Sequence, residues 1–233
     1  MKRSIAFVLS LVCMVVAAYT VCLRAISLPV SAGTEEKFHV VVDAGHGGMD
    51  GGVVGRKTGV KESDLNLSIA FSLKEELEDA GFLVTMTRKT QFGLAETGAK
   101  WSKKQDMKMR KSIIAESDPS LVVSIHQNYY PSVSSRGGQV FYLKTCELGK
   151  NLALGVQEKI NELYAKDGVK GRVATPSDYY ILDCTSAPSI IVECGFLSSP
   201  KDEALLLTEN YRAQIAKSIF AGVMSFYTGQ FGA

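Results

Sequence analysis

Three apolar runs of this chain stop at side chains that can bind a metal ion or carry a proton. The runs end at or just before His46, His126 and Glu193. Ligands of open α/β sheets bind outside the carboxyl ends of the strands, so we expect these side chains to share one sheet edge. The chain has three histidines, and two of them follow such runs. Two imidazoles and a carboxylate at one edge indicate a metal site with a general base.

Glu62 is the candidate for a third metal ligand. It lies just before a predicted helix, at the far end of a glycine-rich loop that starts at His46. Glycines permit the tight, irregular backbone that would fold this loop back beside a metal. Taken alone, Glu62 also fits an acid that the helix dipole favours at a helix start, and a single histidine also fits a structural role. The two histidines together with the glycine-rich loop favour a metal site.

The predicted donor set is typical of catalytic zinc. Such a site has three protein ligands and an open fourth position, so we predict Zn²⁺ on His46, Glu62 and His126. Glu193 then remains as the free carboxylate. Because it ends the apolar run 190–192, we expect it to be buried and to need a partner. We expect Glu193 to be the general base that deprotonates the attacking water.

Alternating strand and helix patterns predict how these residues are held. Strands are predicted at residues 38–43, 82–87, 121–126, 139–143, 179–182 and 189–193, and helices at 64–80, 106–116, 147–164 and 208–227. This alternation predicts an α/β fold with a mixed, mainly parallel sheet flanked by helices on both faces. A long polar loop, 89–105, contains Trp101.

The first 33 residues are predicted to be a targeting segment. Lys2 and Arg3 precede an almost unbroken apolar run over 5–23, and positive residues before such a run direct export. The run is long enough for an uncleaved signal anchor, whereas the small residues around Ala32 also fit a cleaved signal peptide with a short linker. Residues 34–233 form the predicted catalytic domain. We expect it to work outside the cytoplasm, anchored to the membrane or secreted.

Composition narrows the classes of partner. Beyond the first 33 residues, 23 basic residues stand against 24 acidic ones, with no basic stripe. Nucleic-acid binding is therefore not expected. The five cysteines are an odd number without metal-ligand spacing, which argues against a disulfide framework and a zinc ribbon.

At four segments the chain resembles the zinc-dependent N-acetylmuramoyl-L-alanine amidases of bacterial cell walls. The segments are 42–48, 62–67, 124–128 and 192–198, in the order that the family has them. The resemblance implies zinc on the three predicted ligands and catalysis by Glu193. It also implies a sheet of roughly six strands. The substrate would be peptidoglycan, cleaved at the amide bond between N-acetylmuramic acid and L-alanine.

Within this family the chain is most similar to the germination-specific amidases of the spore cortex. A single catalytic domain follows a hydrophobic segment, and residues 92–110 are similar as well. Those enzymes remove the peptide from muramic acid, which prepares the sugar for conversion to muramic δ-lactam. Ala44 replaces a common proline, and Tyr129 a common small residue. Both departures lie beside ligands and bear on substrate preference.

Several further residues are candidates for substrate contact. Arg88, just after the second predicted strand, could bind a peptide carboxylate or form a structural ion pair. Asn128 could hydrogen-bond the substrate or close a turn. Trp101 and the pair 129–130 could stack on sugar rings or pack within loops.

Two other functions compete with the amidase. One is another zinc peptidoglycan peptidase, which would cut within the stem peptide. The other is a regulatory or wall-binding module on the same fold, which would be expected to lack Glu193 or a zinc ligand. A regulated enzyme could also need an activating protein partner that stabilises zinc binding, with loop 89–105 as a candidate docking surface.

Overall fold

A six-stranded sheet forms the centre of the structure, a computed structural model that describes residues 37–95 and 102–231. Its strands are β1 (His39–Ala44), β2 (Leu83–Met86), β3 (Leu121–Asn128), β4 (Gln139–Leu143), β5 (Thr175–Ser177) and β6 (Ser189–Phe196). The helices are α1 (Glu62–Asp79), α2 (Lys103–Glu116), α3 (Glu147–Ala165), α4 (Pro200–Leu206) and α5 (Glu209–Phe231).

The strand order is β2-β1-β3-β6-β4-β5, and the sheet is mixed but mainly parallel. Only the pairing of β4 with β6 is antiparallel among the described strands. The predicted α/β fold class is therefore confirmed. Because β1, β3 and β6 run in the same direction, their carboxyl ends meet at one edge. His126 and Glu193 are register partners at that edge.

The two faces of the sheet are covered unequally. Residues 40–42 of β1 are fully buried, as expected for a parallel strand with both faces covered. On one face, a large core cluster joins α1, α3 and α5 to the sheet. On the other face, a much smaller cluster joins the sheet to Ile114 of α2 and to Ile181 and Leu182. The second face therefore has room for a cleft.

Residues 179–182 correct the sequence-based prediction, because they do not form a strand. A 3₁₀ turn occupies Tyr180–Asp183, and the edge strand β5 lies upstream of it. Two half-exposed tyrosines, Tyr179 and Tyr180, precede the buried Ile181 and Leu182. Two outward residues followed by two inward ones do not fit a strand, whose successive side chains point to opposite faces.

All four predicted helices are present, and a fifth is found within the part of the chain that the structure describes. Helix α1 begins two residues earlier than predicted, so that Glu62 is its first residue. Helix α4 has seven residues, which is too short for a periodic signal to stand out in the sequence.

The predicted targeting segment, residues 1–33, and Trp101 lie outside the described residues. Within residues 37–95 and 102–231, no helix is long and apolar enough to cross a membrane.

Gly222 lets α5 approach α3 closely. A Cβ there would lie 2.5 Å from the Cα of Val156, whereas a Cβ at Gly229 would meet nothing within 4 Å. We expect Gly222→Ala to lower the free energy of unfolding by about 1–3 kcal/mol through overpacking. Gly229→Ala, in the same helix, should raise it by up to about 1 kcal/mol because alanine has the better helix propensity. Urea unfolding measures both, and equal shifts would contradict the close contact.

Candidate metal centre and active-site cleft

The loop after β1 lies directly against the other two candidate ligands. A Cβ at Gly45 would lie 2.2 Å from the ring of His126. Gly52 has a φ of +68°, and a Cβ there would lie 2.5 Å from the Glu62 carboxylate. His46 itself has a φ of 60°. Glycines at these two positions therefore let the backbone approach the site that the side chains enclose.

The three predicted ligands converge on one point. His46 Nε2 lies 3.3 Å from Glu62 Oε1, and His126 Nδ1 lies 2.9 Å from the same oxygen. One donor atom from each residue lies within 4.8 Å of the others. Glu62 is buried, whereas both imidazoles are partly exposed to the cleft. The group is thus open on one side, as a catalytic metal site must be.

Surrounding groups fix the orientation of each side chain in this cluster. Asp50 Oδ2 lies 2.9 Å from His46 Nδ1, which leaves Nε2 facing the cluster. The second oxygen of Glu62 accepts a hydrogen bond from the backbone N–H of Val53. Burial alone would raise the pKa of Glu62, but hydrogen bonds with His126 and His46 hold that pKa well below its usual range. The carboxylate is therefore ionised and ready to bind a cation.

Asn66 and Gln127 support the cluster, and Asn66 was missed from the sequence. Asn66 Nδ2 donates to Glu62 Oε1 and to the carbonyl of Gly45. Its side-chain oxygen accepts from Gln127 Nε2, while the Gln127 backbone N–H donates to Glu62 Oε1. The signal was available, because Asn66 lies one helical turn after Glu62 and so shares its face.

Glu193 stands beside this cluster without a hydrogen-bond partner for one of its oxygens. Among the described residues, none donates to the buried Oε2 atom. Burial, reinforced by the nearby charge of Glu62, raises the pKa of Glu193 to about 7, although the two histidines act in the opposite direction. A carboxyl group with this pKa can both accept and release a proton near neutral pH.

A buried ion pair underlies the metal cluster. Arg110 of α2 is 2% exposed and donates to Asp43 Oδ1 at 2.6 Å and to Asp106 Oδ2 at 2.8 Å. It also donates to the backbone carbonyls of Ala44 and His46. Burial raises the pKa of Asp43, but the Arg110 charge and two hydroxyl donors outweigh this effect and bring it to about 2. Both residues were missed as site residues from the sequence.

A cleft of about 350 Å³ opens above these residues. Its floor includes His46, His126 and Glu193. The rim is polar at Asp50 and Lys103, whose charged atoms lie 4.0 Å apart. Gly45 and the buried charges of Asp43, Asp106 and Arg110 also line it. Apolar and aromatic side chains complete the lining: Met107, Tyr179, Tyr180, Ile181 and Ile191.

Comparison with known proteins identifies this arrangement. Residues 40–225 match the N-acetylmuramoyl-L-alanine amidase family over most of the chain. The chain belongs to this family. Membership gives it N-acetylmuramoyl-L-alanine amidase activity, and it confirms the resemblance seen in the four sequence segments.

Similar amidases are known from Bacillus subtilis and Clostridioides difficile. The germination-specific N-acetylmuramoyl-L-alanine amidase of Bacillus subtilis is 32% identical over 192 residues, which cover 81% of this chain and 79% of the relative. The CwlD amidase of Clostridioides difficile, solved in complex with the GerS lipoprotein, is 34% identical with a TM-score of 0.78. That match covers 82% of this chain and 99% of the other. An N-acetylmuramoyl-L-alanine amidase from Clostridium difficile 630 is 29% identical, with a TM-score of 0.72, and covers 84% and 99%.

In this amidase, Arg88 is not placed to bind a substrate carboxylate. Its side chain is buried and donates to the backbone carbonyls of Ala44, Gly45, Ser63 and Thr90. Burial and the neighbouring Arg110 charge lower the pKa of Arg88 to about 10. The expectation of a substrate contact or an ion pair is therefore corrected, because backbone carbonyls take up the guanidinium.

Asn128 closes a turn at the end of β3. Its side-chain oxygen accepts from the backbone N–H of Tyr129 at 2.8 Å, which is the alternative that the sequence left open. Tyr129 and Tyr130 are exposed but do not line the described part of the cleft.

The amidase should be strongly destabilised when Arg110 is removed, because Asp43 would remain as an unpaired buried charge. We expect Arg110→Met to lower the free energy of unfolding by about 3–5 kcal/mol. Urea unfolding provides the measurement. Lys108→Met, at an exposed position of the same helix, is the matched control and should change stability little. Adding Asp43→Asn to Arg110→Met should restore part of the loss; a further additive loss would show that the ion pair is not the cause.

Proposed function

We propose that this chain is a zinc hydrolase in which His46, Glu62 and His126 hold the metal and Glu193 transfers the proton. The observation that carries the proposal is the convergence of both imidazoles on Glu62 Oε1, next to the unpartnered Oε2 of Glu193. The bond cleaved would be the amide between N-acetylmuramic acid and L-alanine in peptidoglycan.

The donor set supports zinc as the metal. Two imidazole nitrogens and one carboxylate oxygen are ligands that catalytic zinc uses, with a further position left open. Asp50 at His46 Nδ1 adds the carboxylate–histidine contact that commonly orients a metal-binding imidazole. When bound, zinc would supply Lewis acidity that polarises the scissile carbonyl and acidifies water.

The protein's own residues would handle the proton. Glu193 would accept a proton from the attacking water and later deliver it to the nitrogen of the departing L-alanine. This is general base and then general acid catalysis by one group, and it requires a carboxylate oxygen that no other residue occupies. The Glu193 Oε2 atom meets that requirement among the described residues. Asp50, Asn66 and Gln127 would keep the ligands in place.

The spore cortex is the proposed source of the substrate. Support comes from the relatives, since one that is 32% identical is named germination-specific, and the CwlD amidase of Clostridioides difficile has the same fold. Peptide-free muramic acid would be the product, available for conversion to muramic δ-lactam during cortex synthesis, as germination requires. The enzyme would therefore act outside the cytoplasm, and residues 1–33 would anchor it in the membrane or direct its export.

We also propose an activating protein partner. The Clostridioides difficile CwlD structure holds the GerS lipoprotein, so a similar amidase forms a complex with another protein. A partner that stabilised zinc binding in this chain would act on a cluster whose two imidazoles are partly exposed.

The alternatives are less well supported. A wall-binding module would not need a convergent donor set beside a free carboxylate. A peptidase acting within the stem peptide would use similar zinc chemistry, so only the position of the cleaved bond separates it from the amidase.

The reaction products therefore show which bond of the peptidoglycan is cleaved. We expect the zinc-loaded full chain to release stem peptides that begin with L-alanine from purified cortex peptidoglycan, leaving muramic acid without peptide. Mass spectrometry of the products measures this, with a chelator-treated sample as control. Fragments cut inside the stem peptide would establish the peptidase instead.

Two substitutions separate metal binding from proton transfer. We expect Glu193→Gln to retain one zinc per chain but to lose about 10²–10⁴-fold in kcat, the usual contribution of a general acid–base group. Glu62→Gln should lose zinc as well as activity. Zinc analysis and product formation are measured on the same samples, with the exposed Glu209→Gln as control. Full activity of Glu193→Gln would exclude it as the base.

A further inference from the structure

Two neighbouring tyrosines form one wall of the active-site cleft and have no part in the chemistry described above. We call Tyr179 and Tyr180 the tyrosine wall. Each is 48% exposed, although Ile181 and Leu182 directly after them are buried. The 3₁₀ turn is thus anchored by Ile181 and Leu182, while Tyr180 at its start and Tyr179 just before it line the cleft.

The tyrosine wall is held rigidly. The backbone N–H of Leu182 donates to the carbonyl of Tyr179 at 2.9 Å. The Tyr179 ring meets Phe141 edge-on, with 5.5 Å between centroids. Lys111 Nζ lies 5.5 Å from the centroid of Tyr180, over one face of that ring. Aromatic surface that is ordered before binding loses little conformational entropy when a ligand stacks on it.

The wall stands on the opposite side of Glu193 from the metal ligands. Phe141, which supports Tyr179, is the register partner of Ile191 across the β4–β6 pair. Ile191 lies two residues before Glu193 and so on the same face of β6. His126 is the register partner of Glu193 on the β3 side. A bond held at Glu193 would therefore have the metal cluster on one side and the aromatic rings on the other.

The cleft is polarised in the same way as its substrate. Apolar side chains accompany the tyrosine wall. The charged lining residues contact His46 or one another; they are Asp50, Lys103, Asp43, Asp106 and Arg110. A muramoyl peptide has a sugar ring with apolar C–H faces on one side of the scissile amide. On the other side, its stem peptide has charged carboxylates. Tyrosine suits the sugar side, because its ring offers apolar area and its hydroxyl can hydrogen-bond to sugar hydroxyls.

We propose that the tyrosine wall is a carbohydrate subsite that stacks on the pyranose ring of the muramoyl group, with the stem peptide directed toward Lys103 and Asp50. This proposal rests on the proposed function and deepens it, since it assigns an orientation to the substrate. The sequence left open whether the pair 129–130 stacks on sugar or packs within a loop, and this proposal assigns the stacking to the tyrosine wall.

Binding to a variant that does not turn over substrate tests the subsite. The zinc-loaded full chain with Glu193→Gln is titrated by calorimetry with two probes. One is the disaccharide N-acetylglucosaminyl-N-acetylmuramoyl-L-alanyl-D-isoglutamine, and the other is D-lactoyl-L-alanyl-D-isoglutamine, which has the same amide but no sugar. We expect Tyr179→Ala with Tyr180→Ala to weaken binding of the disaccharide probe about tenfold. Binding of the lactoyl probe should stay within about twofold.

Two controls accompany the double variant. Tyr179→Phe with Tyr180→Phe keeps the rings and should bind the disaccharide nearly as well as the parent, which is the Glu193→Gln chain with both tyrosines. Tyr129→Ala with Tyr130→Ala removes two exposed tyrosines outside the described cleft lining and should change neither affinity. Equal zinc content in all variants verifies that the metal cluster is intact.

Three results would overturn the subsite. Unchanged disaccharide binding in the alanine variant would show that the wall does not touch the sugar. An equal loss for both probes would assign the wall to the peptide. An equal loss in the 129–130 control would remove the distinction between the two tyrosine pairs. If the Glu193→Gln chain with both tyrosines bound neither probe, the proposed function would fail as well. A failure of the subsite alone would leave that chain binding both probes, so the two failures are distinguishable.

Discussion

The sheet edge that carries the active site of this amidase depends on one buried ion pair, between Arg110 of α2 and Asp43 of β1. Two buried charges are costly to remove from water, and their attraction offsets this cost only when other hydrogen bonds satisfy them. Asp43 also accepts hydrogen bonds from Thr87 and Ser124, which joins β1 to its two neighbouring strands. The remaining Arg110 donors hold the carbonyls of Ala44 and His46.

Arg88 also holds the loop after β1 through hydrogen bonds to backbone carbonyls. Its guanidinium binds the carbonyls of Ala44 and Gly45 and reaches Ser63 at the start of α1. The loop that carries His46 is therefore fixed through its backbone by two buried arginines, Arg88 and Arg110. The His46 imidazole is oriented by Asp50 at Nδ1 and contacts Glu62 at Nε2, so the candidate ligands are held while one side of the cluster stays open.

The sequence predicted the fold class, and it singled out side chains that lie together in the structure, because the ends of apolar runs can be read from the sequence. Apolar runs that stop at His126 and Glu193 identify both the strands and the edge. The sequence could not tell that Arg88 binds carbonyls, since a buried arginine and a substrate-binding one look the same without the backbone around them. The turn at Tyr180–Asp183 was predicted as a strand because aromatic and aliphatic residues favour strands. In the structure the consecutive residues Ile181 and Leu182 are both buried, which a turn allows and an alternating strand does not.

The unequal covering of the sheet explains why the cleft lies where it does. Three helices, α1, α3 and α5, bury one face of the sheet and form most of the core. On the other face, α2 and the 3₁₀ turn flank the sheet and leave a gap above Ile191. Helix α2 contributes Arg110 to the floor, and the turn contributes the tyrosine wall. Catalytic support and substrate contact thus come from separate elements, and the wall can change without disturbing the buried ion pair.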